Sequence, residues 1–250
     1  MESTSPEVTV ARIAASDRLI LALDVPAAEQ AMRFVTELDG LVSFFKVGLE
    51  LYTAVGSSVV KELIKGGKKV FLDLKYFDVP ETVQRAVEVV ASMDVNFLTI
   101  HGNGKIVRAA VKGRGTSALK LLAVTALTSL DDDDMDDLGL SCTVRELVAY
   151  RARKALEAGC DGVITSPEEA NTIRQLAGEA KMTEEFLIVT PGIRPSDSSR
   201  DDHKRYSTPF NAIQQGADFL VVGRPIRNSA NPRQAAEKII AEMQQAFDAR

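Results

Sequence analysis

Short apolar runs alternate along the chain with longer segments in which apolar residues recur at the helical period. A short apolar run bounded by Gly, Pro or charged residues is typical of a buried strand. The runs predicted as strands are residues 19–23, 44–47, 69–74, 96–100, 119–124, 162–165, 186–190 and 218–222. The segments predicted as helices are residues 26–38, 49–64, 81–92, 105–111, 143–158, 209–215 and 232–247, with one more beginning at Ser166. The pattern therefore predicts eight strand-and-helix units.

The number and order of these units predict the fold class, an α/β protein with a (β/α)8 barrel. A length of 250 residues suits one such barrel, and no break in composition divides the chain. We therefore expect a single domain over residues 1–250, with residues 1–16 as an N-terminal extension that is partly flexible. The acidic run at residues 131–137 lacks the glycine and the ligand spacing of a calcium loop, so we expect a solvated loop there.

Composition and charge narrow the class of protein. The net charge of -5 argues against a general nucleic-acid binder. The first residues lack the apolar core of a signal peptide, and no apolar run approaches the length of a membrane span. Only Cys142 and Cys160 are present, too few for a disulfide framework, and we expect both thiols to be buried or inert. These features predict a cytoplasmic protein without a nucleic-acid or membrane partner.

Charged residues stand at the carboxyl ends of several predicted strands. Asp73 and Lys75 are two residues apart, so in a strand they share one face, and Asp78 follows on the loop. Charges at the end of an apolar strand are costly unless they meet one another or a ligand. In a barrel, Asp73 and Lys75 would project inward beside Asp24 and Lys46, at the rim where barrel enzymes carry their chemistry.

A plainer explanation is that charges collect wherever strands leave the core. For Asp24, His101 or Thr165 taken singly, that explanation stays open. It is much weaker for Asp73 and Lys75 taken together. His101 is expected to be a structural histidine with its hydrogen bonds satisfied.

Two Gly and Arg pairs follow the last two predicted strands. Gly223 and Arg224 end the eighth, and Gly192 and Arg194 lie just after the seventh. Gly lets backbone amides approach a ligand, and Arg offers a planar fork of donors. In α/β barrels these loops form the usual phosphate site. The pattern predicts a phosphate-bearing substrate, over which the polar stretch 196–206 could close.

Several of these motifs together resemble the orotidine 5′-monophosphate decarboxylase family, in its bacterial form. The resemblance is carried by residues 73–82, DLKYFDVPET, and extends over nearly the whole chain. Its other motifs, in order, are Leu23-Asp24, Phe45-Lys46-Val47-Gly48, Thr190-Pro191-Gly192-Ile193-Arg194 and Val222-Gly223-Arg224-Pro225.

The resemblance implies decarboxylation of orotidine 5′-monophosphate to UMP, without metal or cofactor, in a homodimeric barrel. It implies a charged network of Lys46, Asp73, Lys75 and Asp78, with Asp78 reaching into the partner's site. Lys75 would protonate C6 after carbon dioxide leaves. A lysine suits this step, because the C6 carbanion needs a nearby cation and then a proton.

The resemblance also implies substrate-binding roles. Asp24 and Lys46 would hold the ribose hydroxyls, Thr82 of the partner subunit would contact the ribose side, and Thr128 would contact the pyrimidine. The residues implied at the phosphate are Arg194, Gly223 and Arg224. Many bacterial members have Gln in the loop that closes over the phosphate, and here His203 stands at that position.

Two other functions are compatible with parts of the pattern. A sugar-phosphate decarboxylase or hexulose-phosphate synthase shares the Asp-x-Lys-x-x-Asp core but uses magnesium. A catalytically silent barrel could bind a nucleotide monophosphate as a sensor. Pro80-Glu81-Thr82 favours the orotidylate enzyme over the former, and the clustered charges argue against the latter, since a pure binder gains nothing from them.

Overall fold

The computed structural model describes residues 14–183, 185–195 and 207–250, whose strands form a closed parallel barrel. The strands are β1 (Leu19–Ala22), β2 (Phe44–Gly48), β3 (Lys69–Tyr76), β4 (Phe97–His101), β5 (Lys120–Val124), β6 (Gly162–Ile164), β7 (Leu187–Thr190) and β8 (Phe219–Val222). Each strand pairs with the next, and β8 closes the barrel onto β1. The predicted (β/α)8 fold is confirmed.

A short helix precedes β1, and the other helices follow the strands around the barrel. They are α1 (Ala15–Arg18), α2 (Ala28–Glu37), α3 (Leu49–Val55), α4 (Ser58–Lys65), α5 (Pro80–Ala91), α6 (Gly104–Arg114), α7 (Asp133–Asp137), α8 (Val144–Glu157), α9 (Pro167–Glu179), α10 (Pro209–Gln214), α11 (Arg224–Arg227) and α12 (Pro232–Asp248). The helix predicted over residues 49–64 is divided in two at Gly56, whose φ of 66° lies in the left-handed region. No helix in the described ranges is long and apolar enough to cross a membrane.

Successive side chains of each strand point to opposite faces of the barrel wall, and the apolar ones form two separate cores. One lies between the barrel and its helices, and the other fills the barrel interior. Phe97 occupies the interior, with its ring centroid 4.9 Å from that of Phe44 and 5.1 Å from that of Phe219. Phe71 adds a fourth ring, 6.0 Å from Phe97. These four rings, which we call the aromatic floor, close the barrel beneath its carboxyl rim.

The acidic run differs from the solvated loop that the sequence predicts. Its residues Asp133–Asp137 form helix α7, and Met135 is buried against the outer core. Asp132 accepts a hydrogen bond from the Val144 backbone N–H at 2.8 Å, which ties the run to α8. Carboxylates near a helix N-terminus are stabilised by the helix dipole, so an acidic run can form a helical turn once Met135 anchors it.

The expected N-terminal extension, residues 1–16, overlaps the first helix of the structure. Ala15 and Ser16 begin helix α1, and Ala15 is buried. Residues 1–13 of the expected extension lie outside the described residues. Cys160 is buried, and burial raises the pKa of its thiol to about 12, in accord with an inert cysteine. Cys142 is only half-buried.

We expect Phe97→Ala to lower the free energy of unfolding by about 3–5 kcal/mol, because it removes the central ring of the aromatic floor and leaves a cavity. Urea unfolding followed by circular dichroism measures this change. Tyr150→Ala is the matched control, since Tyr150 is 61% exposed on α8 and its loss should cost less than about 1 kcal/mol. Equal effects of the two substitutions would contradict a stabilising role for the floor.

Candidate active site

A cavity of about 460 Å³ opens at the carboxyl ends of the strands. Its polar side chains are Asp24, Lys46, Asp73, Lys75, Thr128, Ser129, Arg194, Arg224 and Arg227, and Gly192 and Gly223 also line it. Its apolar lining includes Ala22, Val124, Ala126, Leu127, Ile164, Pro191 and Val221. A second groove of about 650 Å³ lies between α5 and α6 and is lined by none of these residues. The chemistry of the lining, more than volume, makes the first cavity the candidate active site.

Four charged side chains alternate in sign across one side of this cavity. The Lys46 Nζ lies 2.8 Å from Asp24 Oδ1 and 3.4 Å from Asp73 Oδ2. The Lys75 Nζ lies 2.8 Å from Asp73 Oδ1. The structure thus brings together four of the residues that the sequence singles out, in the order Asp24, Lys46, Asp73 and Lys75.

The surroundings set the charges of the two most buried members. Burial acts to lower the pKa of Lys46, but attraction to Asp73 and Asp24 outweighs it and raises that pKa above its ordinary value. Burial acts to raise the pKa of Asp73, but attraction to Lys46 and Lys75 lowers it below its ordinary value. Each group therefore keeps its charge because of the other.

Gly48 leaves room for the Lys46 ammonium at the end of β2. A Cβ at position 48 would lie 2.8 Å from Lys46 Nζ and 3.1 Å from Asp24 Oδ1. Such a carbon would displace the ammonium from its carboxylate partner. The absence of a side chain at Gly48 is thus part of the site.

Lys75 has an unusual backbone conformation. Its φ is 49°, in the left-handed region that residues with a Cβ seldom adopt. The pairing between β3 and β4 shifts register there, from Leu72 opposite Leu98 to Tyr76 opposite Ile100. The strand therefore continues past Leu74, where the sequence predicts its end, as a bulge that directs Lys75 into the cavity.

Thr99 on β4 is a residue that the sequence analysis missed. Its hydroxyl accepts a hydrogen bond from the Lys75 backbone N–H at 2.9 Å and donates one to Asp73 Oδ1 at 2.9 Å. Thr99 is fully buried. The available signal was its spacing of two from Phe97, which places a polar side chain on the inward face of an otherwise apolar strand.

Arg227 was also missed. Its Nη1 donates to the Asp24 backbone carbonyl at 2.6 Å, and its Nη2 lies 3.9 Å from Asp24 Oδ2. The residue follows Arg224 by three positions on the short helix α11, so both arginines border the cavity. This second Arg after the Gly-Arg pair was the signal in the sequence.

The predicted phosphate-binding residues line the same cavity as the charged cluster. Arg194, Gly223 and Arg224 all line it, as does Thr128. The Arg194 backbone N–H donates to the Ser207 carbonyl at 2.9 Å, which joins the two described ends of the loop after β7. His203, expected in that loop, lies outside the described residues.

Two predicted site residues do not line the cavity of their own chain. Asp78 and Thr82 are exposed, at the loop after β3 and in the first turn of α5. Asp78 Oδ1 accepts from the neighbouring Val79 N–H at 2.6 Å. The cavity within one chain therefore contains Lys46, Asp73 and Lys75 of the expected network, but not Asp78.

The expectation that the hydrogen bonds of His101 are satisfied was wrong at one ring nitrogen. Its Nδ1 is buried and has no hydrogen-bond partner among the described residues. Its ring instead packs against Phe77, with centroids 4.5 Å apart, so packing holds the side chain in place. Burial lowers the pKa of His101, and the positive charge of Arg151 lowers it further. Neither His101 nor Thr165 lines the cavity.

The fold and the cavity define a class of protein, the (β/α)8-barrel enzymes whose chemistry lies at the carboxyl rim. Comparison with known families is more specific. Residues 17–239 match the model of the family described as "Orotidine 5'-phosphate decarboxylase / HUMPS family", and the chain belongs to this family.

Individual relatives cover nearly the whole chain. A protein of Nitrobacter winogradskyi named orotidine 5'-phosphate decarboxylase is 49% identical over 233 residues, which are 93% of this chain and 95% of the relative. One of the same name from Methylococcus capsulatus is 47% identical over 239 residues, which are 95% and 96% of the two chains. The crystal structure of orotidine 5'-phosphate decarboxylase from Lactobacillus acidophilus superposes with a TM-score of 0.78 at 35% identity, covering 91% of this chain and 99% of the other.

Replacing Lys46 should reveal how strongly the carboxylates depend on it. We expect Lys46→Met to lower the free energy of unfolding at pH 7 by about 3 kcal/mol, because Asp24 and Asp73 then face each other without the central cation. Urea unfolding at several pH values measures this loss.

The pH dependence of that loss has a defined sign. Because the folded pKa of Asp73 is lowered, the stabilisation is present above the ordinary aspartate pKa of about 3.9 and is lost as pH falls through the folded pKa. The difference between Lys46→Met and the wild type should therefore shrink as the carboxylates become protonated. A difference that stays constant down to the lowest pH at which both proteins fold would contradict this account.

Proposed function

We propose that this protein decarboxylates orotidine 5′-monophosphate to UMP and carbon dioxide, as a carbon–carbon lyase of de novo pyrimidine biosynthesis. The observation that carries the proposal is the Lys75 ammonium, held 2.8 Å from Asp73 at the mouth of a barrel that belongs to this family. The names of the relatives support the choice of substrate.

The chemistry that this site supports has two steps. The bond between C6 and the substrate carboxylate breaks, its electron pair stays on C6, and carbon dioxide leaves. The Lys75 ammonium stabilises the carbanion and then transfers a proton from Nζ to C6. Both steps use a cation that the chain itself supplies, so we propose that neither metal nor cofactor takes part.

Asp73 and Lys46 act on this reaction through Lys75. The Asp73 carboxylate contacts both ammonium groups, which fixes the direction of the Lys75 side chain before the substrate reacts. Asp73 would also lie near the substrate carboxylate, but catalysis by ground-state stress is a contested explanation. We take stabilisation of the carbanion by a preorganised cation as the main contribution.

Different parts of the cavity would bind different parts of the substrate. Asp24 and Lys46 suit the ribose hydroxyls, and Thr128 suits the polar edge of the pyrimidine. Arg194, Gly223 and Arg224 suit the phosphate, with His203 expected nearby. Because the phosphate is remote from C6, its binding energy can be used to organise the site around the reacting carbon.

We further propose that the active form is a homodimer in which Asp78 and Thr82 complete the partner's site. Both residues are exposed and lie outside the cavity of their own chain. Asp78 is flanked by Phe77 and Val79, which are 64% and 62% exposed. Large exposed apolar side chains beside a charged residue favour burial against a second subunit. Asp78 would there add the fourth member of the predicted network.

The remaining predictions concern organisation and location. We propose a single domain over residues 1–250, supported by the closure of all eight strands into one barrel. We also propose a cytoplasmic location, supported by two free cysteines and by the proposed place of the enzyme in pyrimidine biosynthesis.

The first test is turnover of orotidine 5′-monophosphate by the wild type and by Lys75→Ala, in EDTA. The wild type should convert the substrate, whereas Lys75→Ala should be slower by at least about 10⁴-fold, because it lacks both the cation and the proton donor. Ultraviolet absorbance of the substrate measures the rate.

Lys69→Ala is the matched control for this test. Lys69 lies on the same strand, but at the opposite end of the barrel, with its Nζ 3.5 Å from Asp17 Oδ1. Its replacement should leave the rate unchanged. Wild-type protein that turns over the substrate only after magnesium is added would refute a metal-free mechanism, and no turnover under either condition would refute the proposed function.

Mixing two inactive variants tests the shared site. Lys75→Ala and Asp78→Asn should each be inactive alone, because each removes a charged group from every site. If sites are shared, random reassociation of equal amounts restores about a quarter of the wild-type sites, since one site in each mixed dimer keeps both groups. Activity of the mixture is measured after dissociation and refolding, and no recovery would show that Asp78 acts within its own chain.

A further inference from the structure

Thr99 has an unusual position relative to the proposed catalytic pair. On β3, four positions separate Leu72 from Tyr76, whereas only two separate their partners Leu98 and Ile100 on β4. Thr99 therefore lies opposite the whole bulge that carries Asp73 and Lys75. In a regular pair of parallel strands, backbone groups would form the hydrogen bonds at this place. Here the Thr99 hydroxyl accepts the hydrogen bond of the Lys75 backbone N–H instead.

One hydroxyl contacts both functional residues. It accepts from the Lys75 N–H at 2.9 Å and donates to Asp73 Oδ1 at 2.9 Å. A hydroxyl has one proton to donate and two lone pairs, so the two bonds are compatible. Because donor and acceptor are both used, the direction of the hydroxyl is fixed by its two partners.

The bonds constrain two different degrees of freedom. The bond to the Lys75 N–H stabilises the backbone where φ is 49°, a conformation that is unfavourable unless its surroundings fix it. The bond to Asp73 Oδ1 fixes the carboxylate oxygen that also contacts Lys75 Nζ at 2.8 Å. The base of the Lys75 side chain and the partner of its ammonium are thus held by the same group.

We propose that Thr99 is a positioning residue, whose hydroxyl sets the place of the Lys75 ammonium through the bulged backbone and the Asp73 carboxylate. Thr99 does not itself line the cavity, so it acts through these two residues. The inference rests on the proposed function, because it assigns Thr99 a part in the same reaction.

The variants that test the proposal are Thr99→Val and Thr99→Ser. Valine keeps the shape of the side chain and removes the hydroxyl, whereas serine keeps the hydroxyl and removes a methyl group. Thr99→Val should lower kcat by about 10²-fold, because a displacement near 1 Å of a reacting group has an effect of this size. Thr99→Ser should recover kcat to within about 5-fold of the wild type.

Two further readouts separate positioning from general stability. Thr99→Val should bind UMP as tightly as the wild type, because the groups proposed for phosphate and ribose remain in place. Thr125→Val is the matched control: Thr125 is also fully buried, directly after β5, but its hydroxyl donates to the Ile164 carbonyl at 2.9 Å, a bond outside the charged cluster of Asp24, Lys46, Asp73 and Lys75. Its kcat should stay within about 3-fold of the wild type.

Crystal structures of the wild type and Thr99→Val make the test independent of turnover. The proposal expects the Lys75 Nζ to leave its position 2.8 Å from Asp73 Oδ1 in Thr99→Val. It is overturned by an unmoved ammonium, by a Thr99→Val kcat within 3-fold of the wild type, or by equal losses in Thr99→Ser or Thr125→Val. If the wild type does not decarboxylate orotidine 5′-monophosphate, the proposed function fails, and the position of Lys75 in the crystals still decides this inference.

Discussion

The attraction of the Lys46 ammonium for Asp24 and Asp73 is the interaction on which the site depends. Two carboxylates so close to each other repel, and a lysine that is 9% exposed is costly unless it is paired. Each charge is stable only because of its neighbours, which explains why the pKa of Lys46 rises while that of Asp73 falls. The same attractions fix the Asp73 carboxylate, which orients the Lys75 ammonium. The buried charges that are costly for folding are therefore the ones that prepare Lys75 for its proposed role.

The barrel makes this cluster possible by separating polar from apolar layers. Inward-facing positions near the amino ends of the strands hold the aromatic floor, which includes Phe44, Phe71 and Phe97. Two residues further along the same strands come Lys46, Asp73 and Thr99. The floor closes the barrel below the charges, and the apolar lining beside them lowers the local dielectric, so the interactions inside are stronger than they would be in water. The aromatic floor thus contributes to stability, and the layer of charged residues next to it contributes to the chemistry.

The residues that the sequence revealed are those whose signal is local. Asp73 and Lys75 could be assigned to one face because the period of a strand is two, and their place at the rim followed from the count of eight units. Thr99 and Arg227 were missed because neither is unusual by itself: a Thr in a strand and an Arg on a short helix have many structural explanations. Their contacts with Lys75 and Asp24 join residues far apart in the chain. The unpartnered Nδ1 of His101 was not predicted for the same reason, since the neighbours of this side chain, such as Phe77, are recognised only after β3 and β4 are paired.

The alternation of strands and helices, the barrel class, the family motifs and the charged residues at the strand ends can all be predicted from the sequence, because each depends on periodicity or on short spacing. The folded structure is needed for three other features: the order of contacts among Asp24, Lys46, Asp73 and Lys75, the left-handed backbone of Lys75, and the separation of Asp78 from the cavity of its own chain. The physical reason is that these features arise from strand register and from closure of the barrel. A bulge between β3 and β4 is specified by packing around it, whereas the period of a strand is specified by the residues within it.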